Sequence, residues 1–391
     1  MRFIPGATPQ MTRLLRHQAT GAAGDALVAL ALAGALFFSV PETTARARVG
    51  LYLALTVAPF AVVAPLLARV LDRFRGSLRW AMVLTSVGRA TLAWWMATRL
   101  DSLLLFPLAF GILMLSRASL VVRGAILPLA VEEHGSLVEA NSALSRVAAI
   151  AGMVAVPVGL GLVRWPGENA ELLFCAAVYY IGAIPALRLP APKGRRPKRE
   201  RLSAQAIGRS APLRQAVLAT AGMRFLVGYL VFHLAFALRR EDLSSIGLGV
   251  LIASAALGGL AGAIIAPRLR RALREEGMLF AALVAAGAAG LIVGRWFSLG
   301  AAGVLVFAFS IASGAAKVAF DSIIQRELPE GARGWAFARS ESVLQLAWVG
   351  GAAAPLLVPI PAGPGVFAAG VVAQVLAILF IAGRRRAARV P

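Results

Sequence analysis

The sequence predicts an all-α membrane protein of about twelve transmembrane helices, arranged as two pseudo-symmetric six-helix bundles with both chain ends in the cytoplasm. Three observations predict it. The 391 residues are 59% hydrophobic and only 15% charged, with a mean hydropathy of +0.78. A soluble domain carries about 25% charged residues, so a surface this poor in charge has to face lipid. Apolar runs near the ~20 residues needed to cross the hydrocarbon recur along the chain, and the basic residues gather in alternate loops.

The first six runs fall at 20–40, 49–69, 80–98, 103–122, 141–163 and 170–187. The second six fall at 215–237, 245–266, 278–296, 299–320, 336–358 and 365–383. Lipid offers no partner to a free backbone N–H or C=O, so such runs are helices. They lack the alternation that barrel strands show. The first run is a full span followed by others, and is read as a helix rather than a cleaved leader. The single cysteine, Cys175, lies inside an apolar run and reads as a small buried hydrophobe.

Charge location sets the orientation. With the N-terminus inside, 31 of the 40 Lys and Arg residues fall in inner segments, seven in outer loops and two (Arg89 and Arg224) within spans. That bias places both ends in the cytoplasm and requires an even number of helices. The net charge of +22 is therefore spread over inner loops, which argues against a nucleic-acid-binding face. Trp94, Trp95, Trp165 and Trp296 fall near outer span ends, as an interfacial belt requires. The organisation follows: a first bundle over 1–187, a basic cytoplasmic linker over 188–214 and a second bundle over 215–391. The segment Pro190–Arg209 reads as a flexible stretch lying on an anionic inner leaflet.

The halves resemble repeats. A constant offset of 198 lays Ile126 on Ile324, Glu132 on Glu330, Ala140 on Ala338, Ser142 on Ser340, Gly152 on Gly350 and Pro157 on Pro355. Internal repeats about a central loop are how secondary transporters are built.

Six plus six spans about a basic loop resemble the major facilitator superfamily, in particular its bacterial drug-exporter-like branch. Between spans two and three, APLLARVLDRFRGSLRW carries Asp72-Arg73 at the centre of that superfamily's signature, with Ala68 where a Gly is expected and Gly76 one place late. The segments EANSALS and PEGARGWAFARSES resemble the loops after helices four and ten. In the fifth span, Gly152, Pro157 and Gly161 match the exporters' antiport motif, while Val156 and Leu160 depart from it. The excess of Arg over Lys suits a high-GC bacterium, so the resemblance implies a bacterial plasma membrane. It also implies that helices one, four, seven and ten line a central cavity. Asp72 and Arg73 would act as a gate, Asp72 latching the halves against the start of helix eleven. Gly152, Pro157, Gly161, Gly350 and Pro355 would form a helix-bend motif.

An ionisable side chain inside a span is costly and is a functional candidate by default. The candidates are Asp25, Arg89, Arg117, Arg224, His233, Lys317, Asp321 and Glu341. Of these, Arg224, Asp25, Arg117 and Lys317, with Thr220, are assigned to substrate. Asp321 and Glu341 join Asp72 and Arg73 in gating. Lys317 and Asp321 are four apart and can pair. Thr220, Arg224 and Gly228 share one helix face, which would look into a wet cavity. Arg224 would bind an anionic group there, or tie span seven to span one or eleven. Asp25 is the preferred proton carrier. Arg89 would pair locally or pack against span two.

No nucleotide-binding loop, metal cluster or nucleophile with its base is present, so no cofactor, metal or enzymatic role is assigned. The expected function is secondary active transport exporting small amphipathic molecules by alternating access, with protons as the candidate coupling ion in an antiport cycle. The alternatives are a lipid or lysolipid flippase on the same fold and a non-transporting scaffold or sensor. The expected partners are the substrate, the bilayer and protons, and the chain is taken as a monomer.

Overall fold

In the computed structural model, residues 8–33, 78–100, 102, 104–131, 136–165, 167–189, 210–240, 244–328, 330–358 and 360–387 are described. The second expected span, Asp72, Arg73 and the 190–209 linker stretch lie outside them. Among the described residues the chain forms eleven helices. They are α1 (Pro9–Ala33), α2 (Leu78–Ala97), α3 (Leu105–Ala130), α4 (Leu137–Arg164), α5 (Glu168–Leu187), α6 (Ala211–Arg240), α7 (Ser244–Ala272), α8 (Glu275–Arg295), α9 (Leu299–Glu327), α10 (Glu330–Leu357) and α11 (Ala362–Ala387). Eight of them are long and apolar enough to cross a membrane.

Local chemistry explains several ends. Ser136 Oγ accepts the N–H of Glu139 and Ser298 Oγ accepts that of Ala301, capping α4 and α9. Glu168 and Glu171 open α5, Glu275 and Glu276 open α8, and Arg270 and Arg271 close α7, each matching the helix dipole. The tight α4–α5 turn needs the positive φ of Gly167, whose N–H reaches the Leu162 carbonyl.

Several helices outrun their apolar cores. The first begins at Pro9 rather than residue 20, the fourth span (α3) ends at Ala130 rather than 122, and the tenth (α9) at Glu327 rather than 320. Hydropathy marks only the stretch that lipid must cover. Polar helical turns beyond it are invisible to that criterion.

The chain separates into two compact units, Met1–Lys198 with Glu330–Arg339, and Arg199–Pro329 with Ser340–Pro391. Within the first, α1 packs on α3, α4 and α5, and α2 packs on α3 and α5. Within the second, α6 packs on α9 and α11, and α8 packs on α9 and α11. Shifted by the repeat, the pairings of α1 with α3 and α5 and of α2 with α3 and α5 recur as those of α6 with α9 and α11 and of α8 with α9 and α11. In both units alanine is the commonest buried residue, packed among Leu, Met and aromatic side chains, while many large side chains such as Leu84, Ile181, Ile252 and Val304 face outward. Lipid solvates them, so close helix contact rather than water exclusion directs packing. Gly258 and Gly262 of α7 meet the backbone of Phe307 and Ile311 on α9, and Gly290 of α8 meets Gly370 on α11.

Candidate functional site

The first unit holds a polar cluster built on α1. Asp25 stands about 24 Å along α1 from its first residue, well inside the helix. Its Oδ1 accepts bonds from Arg89 Nη1 on α2 at 3.2 Å, Ser116 Oγ on α3 at 2.6 Å and the Tyr179 hydroxyl on α5 at 2.7 Å. Four helices thus meet at one carboxylate. Arg89 is fully buried, donates its Nε–H to the Thr85 carbonyl and lies over the Tyr179 ring at 4.6 Å. A buried guanidinium needs a counter-charge, and Asp25 supplies it. The Asp25 side chain keeps 42% of its surface exposed, so one side of the carboxylate stays open.

Two glycines shape the cluster. Gly24 leaves room for the Tyr179 ring, and Gly21 lets the Arg89 guanidinium lie across α1. Cys175 is buried as expected, its thiol donating to the Gly24 carbonyl at 3.4 Å.

In the second unit Arg224 sits near the middle of the 30-residue helix α6 and is half-buried. Among the described residues, nothing forms a hydrogen bond or ion pair with its guanidinium. The face it shares with Thr220 and Gly228 is not wet throughout. Thr220 is buried and donates to the Ala216 carbonyl of its own helix, and Gly228 packs against Trp348 and Ala352 of α10. A glycine that lets two backbones meet cannot also line water, and this corrects the sequence reading of that face.

Lys317 pairs with Asp321 at 2.5 Å and lies 3.9 Å from Glu341, linking α9 to α10 within the second unit. The i, i+4 pairing is the one the spacing gives. Arg117 is half-buried on α3 beside Ser116. His233 stacks on Tyr229 and bonds the Ala362 carbonyl at 3.1 Å, fastening α6 to the start of α11. Of the helix-bend residues, Gly152 faces Ala26, Gly350 lies by the Phe225 ring, and Gly161 faces open space. Both α4 and α10 run through their prolines, Pro157 and Pro355.

Sequence reasoning missed Ser116, Tyr179 and the Asp25–Arg89 pair. The available signal was that Arg89, buried in a span, needed a carboxylate at similar depth. Hydroxyl partners leave no such trace.

The Major Facilitator Superfamily profile matches residues 21–354. The chain belongs to the Major Facilitator Superfamily. It is thus a multi-pass membrane transporter rather than an enzyme. Curated relatives include an uncharacterised protein of Mycobacterium leprae, 29% identical over 390 residues, covering 89% of this chain and 67% of that protein. Another is an uncharacterised protein of Mycobacterium tuberculosis, 29% identical over 376 residues, covering 85% of this chain and 66% of that one. The chain therefore spans about two thirds of the length of these relatives. Similar solved structures include the human organic anion transporter MFSD10, with a TM-score of 0.72 at 19% identity over 95% of this chain and 100% of that one. A bacterial homologue of the iron transporter ferroportin, in an outward-facing state, gives 0.72 at 18% over 97% and 100%. The superfamily member FucP in its outward conformation gives 0.72 at 12% over 95% and 98%. At these identities the likeness shows the fold.

Proposed function

We propose that this chain is a secondary active transporter that exports small amphipathic molecules bearing an anionic group, by alternating access in the bacterial plasma membrane. Arg224 binds the anion and Asp25 carries a coupling proton. The observation that carries this reading is the Arg224 guanidinium, half-buried at mid-helix without a partner among the described residues. A cation in that position is costly until an anion meets it, and the planar fork of guanidinium suits carboxylate or phosphate. The open side of the Asp25 carboxylate supports the proton role.

The test is a panel of amphipathic dyes, anionic and cationic, offered to the purified full chain. Anionic members should raise the melting temperature, and Arg224→Ala and Arg224→Lys should weaken their binding by about tenfold to a hundredfold, the worth of a charge-assisted hydrogen bond. Binding that is unchanged in Arg224→Ala would falsify the anion assignment.

A further inference from the structure

The arginines at one end of the second unit divide into two sets. In the first, Arg270 in the last turn of α7 donates to Glu275 Oε1 at 2.9 Å. Arg326, in the last turn of α9, donates to Glu275 Oε2 at 2.6 Å, to Glu276 Oε1 at 2.7 Å and to Glu327 Oε1 at 3.0 Å. The ends of α7 and α9 and the start of α8 are tied there, and each of the three carboxylates has a cation. The second set is exposed: Arg268, Arg271 and Arg274 at the end of α7 and the cap of α8, and Arg384 and Arg385 near the end of α11. Among the described residues no hydrogen bond or ion pair holds these five guanidinium groups.

Helix packing gathers the second set at one corner. Helices α8 and α11 run antiparallel: Gly294 meets Phe367, Gly290 meets Gly370 and Gly287 meets Gln374. Following that register about three turns further brings Arg384 and Arg385 level with the first turn of α8 and with Arg274. Arg384 indeed lies near enough to Glu276 to act on its charge. The helices on either side of α8 each carry an exposed apolar stripe that leads up to these arginines. On α7, Leu257 and Ile264 share a face with Arg268 and Arg271. On α11, Val371, Val375 and Ile378 share one with Arg385.

We propose that this corner holds the headgroup of an anionic phospholipid. Its phosphodiester sits between the arginines of the α7–α8 turn and those near the end of α11, and its acyl chains lie along the stripes below. The inference is independent of the roles given to Arg224 and Asp25. Basic ends are common in membrane proteins, and a general attraction to anionic lipid follows from that alone. This corner has more than basic ends. The glutamates that would repel a phosphate are already answered by Arg270 and Arg326, and these seven arginines stand against three glutamates. The five outer guanidinium groups are thus left without a counter-charge of their own, and their planar fork suits phosphate oxygens. A free phosphate would use the arginines but not the stripes. A phospholipid uses both, because it joins a phosphate to chains that run in the direction of the helices.

The experiment is native mass spectrometry of the purified full chain, titrated with phosphatidylglycerol, with phosphatidylcholine of the same acyl chains, and with glycerol phosphate. One phosphatidylglycerol per chain should bind at least about tenfold more tightly than phosphatidylcholine, and glycerol phosphate should not bind. An arginine beside an anionic headgroup is worth roughly fivefold in affinity. The double variants Arg271→Gln with Arg274→Gln, and Arg384→Gln with Arg385→Gln, should therefore each lose about tenfold to thirtyfold. All four side chains are exposed, so both variants should melt with wild type when no lipid is added. A control pair in the first unit, Arg16→Gln with Arg188→Gln, is also exposed and should bind as wild type does. Equal affinity for the two lipids overturns the proposal. An equal loss in the control pair also overturns it, because the attraction is then the general one of basic ends. Binding that is unchanged in both corner variants places the lipid elsewhere and overturns it as well. Glycerol phosphate binding as tightly as phosphatidylglycerol overturns the lipid assignment in favour of free phosphate.

Discussion

At the scale of single residues, the two members of the Asp25–Arg89 pair are not equivalent. Arg89 is fully buried, whereas Asp25 keeps part of its surface open and has two hydroxyl donors besides. Removing the carboxylate strands a buried cation, while removing the cation leaves a carboxylate that is still hydrogen-bonded. Asp25→Asn should therefore cost about 3 kcal/mol and Arg89→Met about 1 kcal/mol, and the double variant should recover part of the larger loss. Thermal and denaturant unfolding in detergent checks the order; equal losses would sink it. This asymmetry was only half legible in the sequence. Both ions stand out as charges within spans, but the choice of partner depends on the rotation of α1 against α2, which periodicity does not report. The pairing of Lys317 with Asp321 was legible because one helix fixes it.

At the scale of helices, glycines divide into those that let backbones meet and those that do not. A methyl at Gly228 would strike the Trp348 carbonyl, and one at Gly351 the Phe225 carbonyl, both at the crossing of α6 and α10. Gly161 in α4 faces open space. Gly228→Ala should thus destabilise by about 1–3 kcal/mol through overpacking. Gly161→Ala should stabilise by about 0.5–1 kcal/mol, because alanine is the better helix former. Melting temperatures of the two variants in one detergent decide the matter, and a loss in Gly161→Ala would show a contact the packing does not contain. The pairs Gly258 with Gly262 and Gly290 with Gly294 stand four apart, the spacing of small residues that lets helices approach closely, and both meet a neighbouring backbone. Gly228 was not legible in this way: its spacing from Arg224 suggested a wet face, and only the position of α10 shows otherwise.

At the scale of the whole molecule, the internal repeat joins sequence to fold. The first helix of each unit carries an ionisable residue within its length, Asp25 on α1 and Arg224 on α6. Repetition also constrains orientation. We propose that an even number of spans separates the halves, so that both start from the same side, which the charge bias gives as the cytoplasm. The exposure of Trp165 and Trp296, at the far ends of α4 and α8, agrees with an outer interface there. Inner loops rich in arginine resist translocation, whereas the α4–α5 turn carries only Arg164 beside Glu168. In a chain with Cys175 replaced by alanine, a cysteine at Glu168 should then react with an impermeant maleimide added to intact cells. One at Arg199 should react only after the membrane is opened. Cys175 is buried, so its replacement removes background without exposing a new thiol. Labelling of both positions from the same side would overturn the orientation, and with it the assignment of the basic 188–214 segment to the cytoplasm.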